Sequence, residues 1–304
     1  MTAAVVFDRH GPPAVLRLAD LETPVPAAGE VRVRVAAAGV NPVDAKVRRG
    51  DLADAMTARF PQTLGNEFAG VVDAVGEDVT DLRSGQEVLG FTALAAYAEH
   101  VTVPADHVAA KPEGLPWRVA GALSAAGQMA RHAVDALAIG PGDTVLVHAA
   151  AGGVGTVAVQ LACRRGATVL GTASPRNHDY LRSLGAIPIS YGPGLTDRVR
   201  EQAPHGVGAV LDLVGAGAIE ASLPVAADRA RVATTVDDAA ADRYGVRRLR
   251  GARSAAVLVE LAALAAAGDL RLPIHLSVPL DEAARAHEAI EAGHVRGKVV
   301  LTIP

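Results

Sequence analysis

The sequence predicts an α/β protein that combines a doubly wound parallel sheet with a smaller, mostly antiparallel β-barrel domain. Its 304 residues exceed the size at which a single hydrophobic core usually stops growing. Roughly the first hundred residues form short apolar runs separated by turns, whereas the later residues alternate between apolar strands and helices. We therefore expect residues 1–115 and 273–304 in the β domain, and residues 116–272 in the α/β domain.

The N-terminal part has the alternation of half-buried strands. VRVRVAAAG (31–39) alternates, and FAGVVDAVG (68–76) and QEVLGF (86–91) are apolar runs. Glycines divide these runs, at positions Gly29, Gly50, Gly65, Gly76, Gly85 and Gly90. This spacing favours a small barrel over βαβ units.

The character of the chain changes at KPEGLP (111–116), after which a helix is expected over about 117–137. Strand, glycine turn, helix and strand follow in order from Asp143. Later strands are predicted within 206–215 and 230–236, and a helix over 257–268. The closing RGKVVLTIP (296–304) is predicted to be a strand that returns to the first domain.

A stretch of near membrane-spanning length, Thr144 to Cys163, contains no charged residue. A glycine-rich turn interrupts it, which favours a buried strand followed by a packed helix over a membrane span. The N-terminal apolar run is broken at Asp8, so no signal peptide is expected.

The composition limits the kinds of partner and binding site that we expect. The net charge of −4 and pI near 6.2 do not favour a polyanionic partner, and make nucleic acid unexpected. Cys163 is the single cysteine, which excludes internal disulfides and multi-thiolate zinc sites and favours a reducing, cytoplasmic compartment. It is interpreted as a small buried residue, not a nucleophile.

A basic cluster stands apart from this balance, and consists of Arg243, Arg247, Arg248, Arg250 and Arg253. A solvated face is the simplest interpretation. Contacts to an anionic substrate, such as a coenzyme A thioester, or a weak nucleic-acid patch are the alternatives.

The segment AAGGVG follows an apolar strand and opens a helix, as a dinucleotide fingerprint requires. Here Gly152 lets the backbone approach a diphosphate, Gly155 allows close helix packing, and Ala150 replaces the usual first glycine. Free amides at a helix N-terminus favour an anion. The predicted cofactor-binding residues of this loop are Ala151, Gly152, Gly153, Val154 and Gly155.

The end of the next strand favours NADPH over NADH. An NAD enzyme places a carboxylate there for the ribose, whereas this chain has Thr172, Ser174 and, nearby, Arg176. A hydroxyl and a guanidinium suit a 2′-phosphate. Arg176 as a solvated cation, and Ser174 with Pro175 as a helix cap, are the structural alternatives.

Across nearly its whole length the chain resembles the medium-chain dehydrogenase/reductase superfamily, in its zinc-free quinone oxidoreductase (ζ-crystallin-like) branch. The motifs that carry the resemblance are GVNPVD (39–44), LGNEFAGVVDAVGEDV (64–79), AAAGGVG (149–155), LDLVG (211–215) and GHVRGKVVL (293–301). The resemblance implies a GroES-like catalytic domain built from both ends of the chain, a Rossmann domain between them, NADPH as hydride donor, and a homodimer.

Zinc-dependent relatives have a cysteine at the position of Asn41 and a histidine at that of Asn66. Neutral amides are poor Zn²⁺ ligands, so no metal is expected. Without a Lewis acid, the accessible reaction is hydride addition to an electrophilic acceptor such as a quinone or an enone.

The resemblance places Asn41 and Asp44 near the nicotinamide end of the substrate cleft. The same two residues suit a helix cap and a helix dipole. Tyr191 is implied near the 2′-phosphate, with a packed turn residue as the alternative. Asp212 and Val214 are expected at a strand end where dinucleotides bind, although a turn also explains them. Lys298 completes the predicted cofactor set.

Substrate-facing positions depart from the branch. Lys46 replaces an aromatic residue, and Met129 stands near a position that carries a hydroxyl in relatives. Lys46 suits proton donation or attraction of an anionic substrate, or is simply an exposed helix lysine. Tyr97 is the aromatic candidate for the pocket. No residue is an unambiguous general acid.

Three functions therefore stay open at this point. The preferred one is NADPH-dependent reduction of a quinone or another conjugated carbonyl compound. Reduction of an enone or enoyl thioester in a biosynthetic pathway uses the same cofactor residues. A non-enzymatic NADPH-binding protein, crystallin-like or regulatory, is the third.

Overall fold

The computed structural model describes residues 1–53 and 59–304. The chain forms two compact units, Met1–Ala125 with Arg253–Pro304, and Ala126–Ala252. The C-terminal residues thus belong to the unit that the N-terminal residues begin. Residues 116–125 and 253–272 fall in this first unit, and the domain limits given above remain a prediction.

The elements are numbered in chain order. The strands are β1 (Thr2–Phe7), β2 (Arg17–Leu21), β3 (Glu30–Val40), β4 (Gln62–Thr63), β5 (Glu67–Val75), β6 (Glu87–Phe91), β7 (His100–Pro104), β8 (Val108–Ala110), β9 (Thr144–Val147), β10 (Thr168–Ala173), β11 (Ile187–Ser190), β12 (Ala209–Asp212), β13 (Val232–Thr234), β14 (Arg247–Arg248), β15 (Ile274–Pro279) and β16 (Lys298–Thr302). The helices are α1 (Pro42–Arg49), α2 (Trp117–Ala136), α3 (Gly153–Arg164), α4 (His178–Ser183), α5 (Leu195–Gln202), α6 (Ala218–Ser222), α7 (Asp238–Tyr244), α8 (Ala255–Ala266) and α9 (Ala283–Ala292).

The first unit is mostly antiparallel, as predicted. A three-stranded sheet has the order β2-β1-β4, and a larger one the order β15-β16-β3-β5-β6-β8, with β7 also paired to β3. Among the described strands of this unit, β15 and β16 alone run parallel. The predicted return of the C-terminal strand is confirmed, because β16 pairs antiparallel with β3, Val300 lying opposite Gly39.

The second unit has the predicted doubly wound sheet. Six parallel strands lie in the order β11-β10-β9-β12-β13-β14. Counted from β9, this is the order 3-2-1-4-5-6 that characterises dinucleotide-binding sheets. Its reversal lies between β9 and β12, so the loops after these two strands flank the crevice where ligands bind in such folds.

Burial explains both predicted patterns. In the first unit the alternating residues Val31, Val33 and Val35 of β3 are wholly buried in a core that includes Phe7 and Phe68. In the second unit the central strands β9 and β12 are almost wholly buried, so they are nearly continuous apolar runs. Strand β9 and helix α3 account for the uncharged stretch Thr144 to Cys163, and among the described residues no helix is both long and apolar enough to cross a bilayer.

Close backbone packing fixes the crossing of β3 and β5. The pairing of these strands shifts register between Val35 and Ala37. A Cβ built on Gly70 would lie 2.1 Å from the carbonyl oxygen of Arg34. Only glycine lets the two backbones approach this closely.

Replacing Gly70 by alanine is expected to lower the free energy of unfolding by about 1–3 kcal/mol, because the added methyl group must displace backbone. Gly140→Ala is the control, since nothing lies within 4 Å of a Cβ built there. Urea unfolding of both variants measures the difference. Equal midpoints for the two variants would contradict the packing argument.

Candidate functional site

The first part of the candidate site forms where β3 ends and α1 begins. Asn41 is extended at the N-cap, and Pro42, which has no N–H to leave unpaired, starts the helix. The Asp44 carboxylate turns back and accepts the backbone N–H of Asn41, Oδ2 to N 2.8 Å. The Asn41 side-chain amide also bonds to groups outside the helix.

Asp44 is wholly buried and collects donors from distant parts of the first unit. Besides Asn41, the Tyr97 hydroxyl donates to Oδ2 at 3.0 Å and Asn66 Nδ2 donates to Oδ1 at 2.7 Å. Burial raises the pKa of Asp44 to about 6, against the lowering effect of the bonds from Asn41 and Tyr97.

The side chain of Asn41 bridges a buried ion pair. Its Oδ1 accepts from Lys298 Nζ, and its Nδ2 donates to Glu67 Oε1 at 2.9 Å. Lys298 Nζ lies 2.8 Å from the same Glu67 oxygen, and the two side chains are 5% and 0% exposed. The backbone N–H of Ala125 donates to the other Glu67 oxygen at 2.7 Å. We call Asn41, Asp44, Asn66, Glu67, Tyr97 and Lys298 the Asp44 cluster.

Glu67 was not identified from sequence, although it directly follows Asn66. Its place depends on Gly39, because a Cβ there would lie 2.3 Å from Glu67 Oε1. Neither the strand periodicity nor the length of the motif indicates this packing.

A second set of residues missed from sequence lies behind Tyr97. The Tyr97 hydroxyl is 3.5 Å from His287 Nε2, and His287 Nδ1 is 3.4 Å from Arg48 Nη1. Arg48 is wholly buried and pairs with Glu291. Burial, with a smaller effect of Arg48, lowers the pKa of His287 to about 4, so the ring is neutral near pH 7.

Two predicted substrate residues lie outside the Asp44 cluster. Lys46 is half-buried on α1, two positions after Asp44, and residues two apart on a helix face different directions. Met129 belongs to the part of α2 in the second unit, where its Cε packs near Gly251. Their roles remain predictions.

The glycine loop of the second unit has the features of a diphosphate cradle. Gly152 is the extended N-cap of α3 with no side chain capping the helix, and the first helical bond runs from Thr156 N–H to Gly152 O at 2.8 Å. The N–H groups of Gly153, Val154 and Gly155 therefore precede that bond. A Cβ on Gly155 would lie 2.3 Å from Ala149 O, so this glycine lets the helix pack against the loop.

Thr172 lies beneath this loop. Its Oγ1 accepts the N–H of Ala149 at 3.2 Å, and its carbonyl oxygen accepts that of Ala150 at 3.0 Å. Being 2% exposed, Thr172 supports the loop from below.

His148, which precedes the loop, was not singled out from sequence. The hydroxyl of Thr172 donates to His148 Nδ1 at 3.3 Å, and His148 Nε2 donates to Ser222 Oγ at 2.7 Å, which in turn donates to Ala218 O. This assignment satisfies every group with a neutral ring. Burial lowers the pKa of His148 to about 4.

The predicted 2′-phosphate residues follow neighbouring strands. Strands β10 and β11 run parallel with Ala173 opposite Ser190, so Ser174 and Tyr191 both follow strand ends at one edge of the sheet. Ser174 is half-buried, Arg176 is exposed, and Tyr191 is 53% exposed. Ser174 is the extended N-cap residue of the short 3₁₀ helix that Pro175 begins, as its structural alternative predicts, although its side chain makes no capping bond.

Asp212 and Val214 have different places in the turn after β12, since Asp212 is buried and supports the turn whereas Val214 is exposed. Asp212 Oδ1 accepts the N–H groups of Val214 and Gly215, both at 2.9 Å, and its Oδ2 accepts the hydroxyl of Thr234 at 2.7 Å. Thr234, another missed residue, accepts the N–H of Val236 at 3.1 Å. Asp212 is wholly buried and shapes the turn, whereas Val214 is 54% exposed on it.

The basic cluster is largely engaged within the protein. Its contacts are Arg243 over the ring of Tyr244, Arg247 to Ala136 O, Arg248 to Asp242, Arg250 to Asp238, and Arg253 to Asn66 O and over the ring of Phe91. These contacts favour a structural role over a nucleic-acid patch. Burial raises the pKa of the Cys163 thiol, which disfavours a nucleophile.

Within residues 1–53 and 59–304, no three His, Cys, Asp or Glu side chains are grouped as metal ligands. Metal-free chemistry remains a prediction that depends on the amides of Asn41 and Asn66.

Replacing Lys298 by methionine is expected to cost about 3–5 kcal/mol of stability, because Glu67 would stay buried without a counter-charge. The double variant Lys298→Met with Glu67→Gln removes both charges and is expected to recover part of the loss. Urea unfolding of the single and double variants measures this. A single variant as stable as the parent would contradict the role given to the ion pair.

The pH dependence of stability is expected to reflect two opposite shifts. Between about pH 6.5 and 4, His287 binds a proton in the unfolded chain but not in the folded one. Its contribution to the free energy of unfolding is therefore lost as the pH falls through that range. Between about pH 3.8 and 6, Asp44 binds a proton in the folded chain but not in the unfolded one. Its contribution to the free energy of unfolding therefore falls as the pH rises through that range. His287→Asn should therefore lower the slope of unfolding free energy against pH, and Asp44→Asn should raise it, each by at most about 1.4 kcal/mol per pH unit.

Urea titrations between pH 4 and 6.5 measure these slopes. The control is His205→Asn, because His205 lies outside the contacts described for His287 and for Asp44. Slope changes of the same sign in the His287 and Asp44 variants would overturn the assignment.

Two family models match the chain. The one described as alcohol dehydrogenase GroES-like domain matches residues 27–113, and the one described as zinc-binding dehydrogenase matches residues 184–301.

Curated relatives include single enzymes and parts of much longer proteins. The probable quinone oxidoreductase of Schizosaccharomyces pombe is 31% identical over 320 residues, covering 98% of this chain and 96% of its own. The polyketide synthase GfsB of Streptomyces halstedii is 35% identical over 291 residues, covering 91% of this chain but only 5% of the synthase. The chain thus spans a small part of that relative.

Solved structures match over the full length. The quinone oxidoreductase from Coxiella burnetii has a TM-score of 0.89 at 34% identity, covering 100% of this chain and 99% of its own. The Escherichia coli quinone oxidoreductase complexed with NADPH has a TM-score of 0.86 at 27% identity, covering 99% of this chain and 100% of its own. The CurK enoyl reductase has a TM-score of 0.88 at 26% identity, covering 100% of this chain and 99% of its own.

Proposed function

This chain belongs to the medium-chain dehydrogenase/reductase superfamily, in its quinone oxidoreductase-like branch, and on that premise we propose that it reduces a quinone or another conjugated carbonyl compound with NADPH and without metal. The proposal includes a homodimer, on the ground of the family, and a cytoplasmic location, on the ground of the single Cys163.

The observation that carries the proposal is the uncapped start of α3. Three successive N–H groups, of Gly153, Val154 and Gly155, precede the first helical bond at a glycine turn beside the reversal of the sheet. Such a site suits a diphosphate, and Gly155 lets the start of α3 pack closely against the loop that would hold it. NADPH held there would supply the hydride.

The choice of NADPH over NADH rests on the residues after β10 and β11. Ser174, Arg176 and Tyr191 offer two hydroxyl groups and a guanidinium, and no carboxylate follows Thr172 in this turn. A 2′-phosphate is a dianion that such groups bind, whereas a carboxylate would repel it.

The Asp44 cluster is proposed to line the acceptor site. Its two amides, Asn41 and Asn66, are held by charged groups, Asn41 by Lys298 and Glu67 and Asn66 by Asp44. Side chains fixed in this way orient an acceptor without reorganising during the reaction. The proton that completes reduction is proposed to come from solvent.

Reduction of an enoyl thioester is the second candidate. The similarity to the CurK enoyl reductase and to a polyketide synthase favours it. It shares all cofactor residues with the first candidate and differs in the acceptor.

Turnover distinguishes these candidates. NADPH and NADH binding is measured by fluorescence, followed by NADPH oxidation with small quinones, enones and enoyl thioesters. Oxidation beyond one equivalent with a quinone supports the proposal, and a preference for thioesters by orders of magnitude selects the second candidate. Binding without turnover would leave a non-enzymatic NADPH-binding protein, and stoichiometric zinc would overturn the metal-free mechanism.

Arg176→Ala is expected to weaken NADPH binding roughly tenfold or more while leaving NADH binding nearly unchanged, because only NADPH carries the phosphate that the guanidinium would bind. Arg182→Ala is the matched control, since Arg182 is exposed on the neighbouring helix and pairs with Asp179. Calorimetric titration of both variants with both nucleotides measures the effect. An equal loss for NADPH and NADH would contradict the assignment.

A further inference from the structure

The turn after β11 contains residues that favour mobility. Its sequence from Ser190 is SYGPG, and Gly192 and Gly194 both adopt positive φ, at 92° and 76°. Glycines lose more conformational entropy on ordering than other residues. Some other interaction must hold this turn in one conformation.

Arg198, on the first turns of α5, supplies that interaction. Its Nε donates to Ser190 O at 3.0 Å and its Nη1 to Pro193 O at 2.9 Å. Its Nη2 donates to Tyr191 O at 3.4 Å and Gly192 O at 3.2 Å. One guanidinium thus binds four successive carbonyl groups. We call residues 190–194 the Arg198 turn.

This arrangement sets the direction of the amide groups. In a trans peptide the C=O and N–H point in opposite directions. Because the carbonyl groups of Ser190, Tyr191 and Pro193 face the guanidinium, the N–H groups of Tyr191, Gly192 and Gly194 face away from it. The exposed Tyr191 side chain is carried on the same turn.

We propose that Arg198 is a positioning residue that pre-forms the Arg198 turn for the adenosine 2′-phosphate, and so sets the preference for NADPH over NADH. This inference rests on the proposed function, since it concerns the phosphate that distinguishes the two cofactors. Arg198 acts through the turn and is not itself a phosphate ligand, because four of its five N–H groups already bind carbonyl groups of the turn.

The physical basis is preorganisation. Ordering a loop on binding costs free energy, and a loop ordered beforehand avoids that cost. A ligand whose 2′-phosphate contacts the Arg198 turn binds more tightly when the turn is ordered beforehand, whereas a ligand that ends at the ribose hydroxyl does not. The effect is therefore expected in the ratio of two affinities.

The experiment compares adenosine 2′,5′-bisphosphate with 5′-AMP, which differ only in the 2′-phosphate, by calorimetric titration without turnover. The variants are Arg198→Met and Arg198→Lys. Lysine keeps the charge but cannot bind four carbonyl groups at once. Arg200→Met is the matched control on the same helix, where Arg200 pairs with Asp197.

Both Arg198 variants are expected to weaken bisphosphate binding about fivefold or more and 5′-AMP binding little. Full selectivity in Arg198→Lys would mean that charge alone acts, and would overturn the proposal. Equal losses for both probes, or a lower melting temperature with unchanged selectivity, would reduce Arg198 to a structural role and also overturn it.

A double-mutant cycle with Tyr191→Phe adds an independent readout. If Arg198 acts through the turn, the losses of Arg198→Met and Tyr191→Phe in bisphosphate affinity will not add. Strict additivity would count against the proposal. A parent protein that binds both probes equally would instead refute the proposed cofactor, so failure of the function and failure of this inference remain distinguishable.

Discussion

The need to neutralise a buried charge is the constraint on which the first unit depends. Glu67 is wholly removed from water, and its carboxylate is held by Lys298, by the Asn41 amide and by the N–H of Ala125. Burying two ions costs several kcal/mol each, offset only when geometry and hydrogen bonds satisfy both. These partners come from the end of β3, from α2 and from β16, so one ion pair joins three distant stretches of sequence. The Asp44 cluster derives its geometry from that junction.

The second unit holds its binding edge in a different way. Buried polar side chains, among them Thr172, Asp212 and Thr234, accept backbone N–H groups from the loops at the carboxyl edge of the sheet. Short polar side chains form such turns because they reach nearby amides. The supporting groups are thus buried, whereas Val214 is exposed and the N–H groups of Gly153, Val154 and Gly155 precede the first helical bond of α3. The residues that support this edge therefore differ from those proposed to contact the cofactor.

Local signals were sufficient for much of this fold. The strand alternation in 31–39 and the glycine turn that leads into α3 depend on neighbours in sequence, and both elements occur where the sequence predicts them. Glu67, Arg48 and His287 could not be found in this way, since their partners lie far along the chain. Thr172 illustrates a further limit. Its place at a strand end was evident, but whether the side chain faces the ligand or the underside of the loop depends on tertiary packing.

The separation of the two ionic partners has a consequence for synthesis on the ribosome. Glu67 and Lys298 are 231 residues apart, which corresponds to on the order of 10 to 50 s of translation. During that interval the carboxylate has no ammonium to meet, and β3 lacks β16 as its neighbour. The inserted unit, by contrast, has all its strands once residue 252 has emerged. The nascent chain is therefore expected to complete its middle before its beginning.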